Sequence, residues 1–133
     1  MKKLLTIIVI IISPLFVRAQ GTQLGESRDS IRKSFERSSS FIVRVAKTDT
    51  CDVITAIGGI KNIFFYKQDT CYLMDTIYPY DWTEGMRRTF NRMALKKVKK
   101  DTWIDKKDNK EIILMTDKAK DWCIIEYRYL PKD

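Results

Sequence analysis

Two stretches with helical periodicity, each followed by short alternating runs broken by tight-turn signals, leave few folds open to this chain. In the first stretch Ser27 stands as a helix cap, Asp29 falls in the opening turn, and Leu24, Ile31 and Phe35 share one side. The serine run 38–40 ends that helix, and strands are expected over 41–47, 51–57, 60–66 and 70–78. Gly58-Gly59 and Gln68-Asp69 read as two-residue hairpin loops between them. After Pro79, Asp81 and Glu84 have the spacing of a capping box. The second helix then sets Met86, Phe90, Met93 and Ala94 on one stripe, with Arg87, Arg88, Asn91 and Arg92 turned away. Three further strands are expected over 97–104, 110–115 and 121–129.

This order predicts an α+β domain with two helices packed on one face of an antiparallel sheet of about seven strands. The halves, about 26–79 and 80–133, echo one another. Ile31-Arg32-Lys33-Ser34-Phe35 is matched by Met86-Arg87-Arg88-Thr89-Phe90, and the apolar runs 63–66 and 112–115 each precede a cysteine, Cys71 and Cys123. A pseudo-repeat, αβββ(β) then αβββ, is the expectation that follows.

The N-terminus reads as a secretory signal. Lys2-Lys3 precede an apolar run that Pro14 interrupts, too short for the roughly 20 residues of a membrane span, and Val17 and Ala19 sit at −3 and −1 of a cut before Gln20. Residues 1–19 are expected to be removed and 20–25 to form a flexible leader to a single domain over 26–133. No cysteine lies at the cleavage region, so a lipid tether is not expected. The mature protein is expected in the periplasm or secreted, with no transmembrane anchor after cleavage.

The polar cap, the Ile31-x-x-x-Phe35 helix and the strand pair whose apolar run precedes Cys71 resemble short exported Bacteroidetes proteins of unknown function. More distantly, the arrangement is similar to the tandem helix-and-sheet proteins typified by the β-lactamase inhibitory protein and the SmpA/OmlA envelope lipoproteins. That resemblance covers residues 25–130 and implies a tandem helix-and-sheet fold. The lipobox of the lipoproteins is lacking and no inhibitor loop aligns, so no partner or site residue carries over.

Composition removes several chemistries. The chain has no histidine, which excludes an imidazole base for serine or cysteine catalysis and any His-ligated zinc. Its three cysteines, Cys51, Cys71 and Cys123, form no Cys-x-x-Cys. Two-residue hairpin loops would place Cys51 and Cys71 on either side of Tyr66, too far apart to bridge. Buried free thiols are favoured over one disulfide or redox chemistry. Asp101, Asp105, Asp108 and Glu111 do not follow the order of a calcium loop and read as a solvated turn. No cofactor or metal is expected.

Two surfaces stand out. Tyr78, Tyr80 and Trp82 cluster around Pro79, where an exposed aromatic patch would suit an envelope or secreted protein. The formal charge is +8, and residues 96–120 hold nine lysines against five acids. Within that stretch Lys106, Lys107 and Lys110 form a candidate surface for an anionic glycan or lipid headgroup, the alternative being lysines that keep a sheet edge soluble. Nucleic acid is disfavoured, since export removes the usual ligand and no binding motif is present. The functional expectation is an exported, non-enzymatic binding module of the periplasm or envelope. Its alternative is a carboxylate-based hydrolase acting on an envelope polymer.

Overall fold

The computed structural model describes residues 23–131, so the expected signal peptide and the first residues of the leader lie outside it. Helix α1 spans Arg28–Arg37, and the Ser27 hydroxyl caps it by accepting from the Ser30 amide at 3.1 Å. Four strands follow, β1 (Ile42–Lys47), β2 (Cys51–Ala56), β3 (Lys61–Lys67) and β4 (Thr70–Pro79). A 3₁₀ turn over Tyr80–Trp82 leads into α2 (Thr83–Arg92). Then come β5 (Lys96–Lys99), β6 (Thr102–Asp105), β7 (Lys110–Asp117) and β8 (Trp122–Tyr129). All eight strands join one antiparallel sheet in the order β1-β2-β3-β4-β8-β7-β6-β5.

The α+β class and the antiparallel sheet are as expected, but the strands among the described residues number eight. The stretch expected as one strand over 97–104 folds back at Lys100-Asp101, where Asp101 takes a left-handed φ of 56°. Aspartate tolerates that conformation without announcing it as glycine does. The Arg87 guanidinium grips the Asp101 carboxylate from α2 at 2.7 and 3.0 Å, so a tertiary contact holds the turn.

The loop between β2 and β3 also differs. It holds three residues, 57–59, with the Ala56 amide donating to Ile60 O at 2.8 Å. The extra residue slips the register by one, so Cys51 pairs with Phe65 rather than Tyr66 and points to the opposite face from Cys71. All three cysteines are free thiols, with Cys71 and Cys123 buried.

Paired residues of neighbouring strands share a face, and one face carries the core. From β2 to β6 a buried row runs through Asp52, Phe64, Met74, Tyr127, Ile112 and Trp103. Ile31 and Phe35 of α1 and Met86 and Phe90 of α2 pack into that core. Phe35 meets Phe64 at 5.6 Å between ring centroids, and Phe90 meets Trp103 at 5.2 Å. The described end of the leader is docked rather than loose. Leu24 is buried, its carbonyl accepts from the Tyr129 hydroxyl at 2.7 Å, and the Gly25 amide donates to Cys71 O at 2.8 Å. A Cβ at Gly25, where φ is +83°, would lie 2.7 Å from the Tyr129 hydroxyl, so glycine is needed there on two counts.

The expected capping box does not form. Asp81 lies in the 3₁₀ turn and is exposed, while Glu84 turns to Arg87. The Thr83 hydroxyl instead donates to Tyr80 O at 2.6 Å. Met86 and Phe90 are buried as expected, but α2 ends at Arg92 and leaves Met93 and Ala94 exposed beyond the stripe.

Candidate functional site

Both helices pack on one side, so the other face of the sheet is uncovered by either. Strand alternation populates it with apolar side chains that a face made only to meet water would not need. Its central row reads Ile63, Asp75, Glu126, Ile113 across β3, β4, β8 and β7. On one side lie Phe65, Leu73, Arg128 and Glu111, and on the other Lys61, Ile77, Ile124 and Met115. All but the exposed Lys61 and Arg128 are partly buried.

Two carboxylates therefore face each other at the middle of an apolar field. Asp75 and Glu126 are direct cross-strand partners on β4 and β8, the strands that join the two halves. Like charges in that position repel, and the hydrophobic surround removes the water that would screen them. Burial first, then the charge and hydrogen bonding of Glu126, push the Asp75 carboxyl up to about 7. Asp75 Oδ1 is sealed from solvent with no hydrogen-bond partner. The nearest cation along the strand, Arg128, is held by Glu111 at 2.8 Å. The centre of this face is thus acidic within a chain whose overall charge is basic.

The helix side carries charge of another kind, internally paired. Arg32 clamps Asp52 at 2.8 and 2.9 Å, and the Tyr66 hydroxyl donates to the same carboxylate at 2.9 Å. Asp52 is fully buried. Burial and the Asp52 carboxylate raise the Tyr66 phenol well above its ordinary range. Arg87 repeats this arrangement with Asp101 and Glu84, and the guanidinium holds Asp101 below the ordinary carboxylate range. These clusters fasten the helices to the sheet, and their polar atoms are already engaged.

The residues singled out in the sequence fall elsewhere. Tyr78 is buried on the helix side, stacked on Trp82 at 5.4 Å, and Trp82 packs against the core. The aromatic junction is folded inward, leaving Tyr80 partly exposed, so Tyr78 presents no partner surface. Alternation explains it, because Tyr78 shares a face with Met74 and Thr76. Lys106 and Lys107 are exposed on the turn before β7. Lys110 is buried within the sheet between Asp105 and Tyr129, so it is not part of an exposed lysine surface. Among the described residues, no three His, Cys, Asp or Glu side chains are placed to hold a metal ion. No helix among them is long and apolar enough to cross a membrane.

Asp75 and Glu126 were not singled out in the sequence. Each is an acid in an otherwise apolar strand run, which is a visible signal, but their meeting depends on β4 pairing with β8 across 51 positions of the chain. No protein family, curated protein or solved structure matches this chain.

Proposed function

We propose that this chain is an exported, non-enzymatic binding module of the periplasm or cell envelope that takes a protein partner on the uncovered face of its sheet. The observation that carries this reading is the acidic pair set in an apolar field. Uncovered apolar area on a folded domain marks an interaction surface, and the central acids select a partner that offers a basic side chain among apolar ones. Export is supported by the basic, apolar and small-residue order of residues 1–19.

The two halves are read in the same proposal as diverged copies of one helix-and-meander unit. Arg32 and Arg87 hold matching places in their helices, each clamping a sheet-side aspartate. A duplicated unit would bring equivalent last strands together at the centre, where Asp75 and Glu126 lie.

A second reading, a carboxylate hydrolase acting on an envelope polymer, has one observation in its favour. Asp75, with its carboxyl raised to about 7, stands beside a second carboxylate, Glu126, and paired carboxylates are what glycoside-type hydrolysis uses. The two readings part in one experiment with defined probes. Extended synthetic peptides alternating valine with lysine should bind, should change the fluorescence of Trp122 at the end of this face, and should release when Glu126→Lys reverses the central charge. Valine–glutamate peptides should not bind. Failure of the basic peptides to bind, together with polymer cleavage that disappears in Asp75→Asn, would replace the binding reading with the hydrolase.

A further inference from the structure

The two edges of the sheet are built in opposite ways. At one end β5 reads Lys96-Lys97-Val98-Lys99, all exposed, and lysines along an edge repel an incoming strand. At the other end β1 offers Val43, 69 % exposed, and Val45, with Phe41 just before it. The Thr48 amide donates to Cys51 O at 2.9 Å. Alternation along an antiparallel pair then turns the backbone groups of Arg44 and Ala46 toward β2 and those of Val45 and Lys47 toward the free edge. Their side chains lie on the helix side, because Val45 pairs with the buried Ile54 and Lys47 with the buried Asp52.

Beside this edge, between α1 and β1, runs a groove of about 310 Å³ whose lining includes Phe35, Glu36, Val45 and Lys47. Two of its charged residues, Glu36 and Lys47, sit at opposite ends, while the third, Arg44, pairs with Thr55 and turns its side chain to the other face of the sheet. Arg32 reaches Thr48 O at 3.4 Å and the Asp52 carboxylate, which puts the middle of α1 beside the Lys47 end of the strand. Glu36, one turn further along α1, therefore lies toward Val43.

We propose that β1 is a self-association edge, at which a second copy of this chain pairs antiparallel through its own β1 and joins the two sheets into one. This inference stands independently of the binding reading. A two-fold axis through Val45 uses the free backbone groups of Val45 and Lys47 and sets Val45 against Val45 of the second copy. Arg44 then faces Ala46 of the second copy, and Lys47 falls beside its Val43, where β1 is bulged between Ile42 and Arg44, so no like charges oppose. The same rotation carries each Lys47 to the Glu36 end of the other copy's groove. A negative end meets a positive end twice, and this self-complementarity selects a second copy as the occupant.

Sedimentation equilibrium on the purified protein tests this. The expected result is a species of twice the monomer mass at tens of micromolar. Val45→Pro should be monomeric and should melt with the wild type at concentrations too low for association, because the lost amide faces outward and serves no bond within the chain. Glu36→Lys should weaken the dimer at least tenfold, and Glu36→Lys with Lys47→Glu should restore it, since the exchanged charges still meet. A monomeric wild-type protein over this range would overturn the proposal. So would a Val45→Pro protein that stays dimeric, or a doubly exchanged variant no tighter than Glu36→Lys alone.

Discussion

Asp75 and Asp101 belong to one sheet and respond to acid in opposite directions. The Asp75 carboxyl is raised to about 7, so the stability it lends is complete below the ordinary carboxylate range and is lost as pH rises through 7. Asp75→Asn removes that loss. The variant should melt close to wild type at pH 4 and several degrees above it at pH 8, in thermal denaturation followed by circular dichroism. Asp101 is depressed by the Arg87 guanidinium, so its contribution is present above the ordinary range and fades as pH falls below it. Asp101→Asn should melt below wild type at pH 7, with the gap closing toward pH 2. Asp52 is the more severe case, because it is fully buried and its charge is met by Arg32 and the Tyr66 hydroxyl. Arg32→Ala would strand that charge and should cost about 3 kcal/mol in urea denaturation. That is the low end for breaking a buried pair, because the guanidinium itself is partly exposed. The partners of these three aspartates lie 14 to 51 positions away along the chain, so the sequence displays the acids without displaying which are paired and which are pressed together.

The helices were legible because their information is local. Ser27 with the Ile31 and Phe35 spacing marks α1, and Met86 with Phe90 marks the buried stripe of α2. Phe90 is fully buried against Trp103. Phe90→Asp should therefore destabilise by several kcal/mol, roughly the cost of an unpaired charge in a core, and calorimetry of the variant checks it. Arg87 shows the limit of periodicity. Its position assigns it to the solvent side, yet its long side chain reaches down to Asp101 and sets the turn between β5 and β6. That turn carries one aspartate and no glycine, asparagine or proline, a weaker signal than Gly58-Gly59, and the run 97–104 reads as one strand across it. The loop 57–59 carried the glycine signal plainly but not its length, and one residue more reversed the face of every side chain in β2 relative to β3.

Over the whole molecule, the strand order places the seam between the halves at β4 and β8, the middle of the sheet. Each half alone would expose one of these strands as a bare apolar edge, with Ile77 or Ile124 beside unpaired backbone groups. A fragment ending at Pro79 should therefore aggregate or stay unfolded, and mixing it with the complementary fragment should recover a folded complex, read by amide dispersion in NMR spectra. Lys106→Ser with Lys107→Ser should leave the melting temperature unchanged, since both side chains stand on an exposed turn, whereas adding Lys110→Ser should lower it. The sequence by itself determined the α+β class, the helix faces, most turns and the absence of imidazole chemistry, because periodicity, turn residues and composition act within a few residues of where they are read. Only the tertiary structure decided that the fourth strand pairs with the eighth, that Tyr78 and Lys110 turn inward, and that Asp75 meets Glu126 on an uncovered face. Those outcomes depend on register and on contacts between residues far apart in the chain, where a shift of one position exchanges the buried side for the open one.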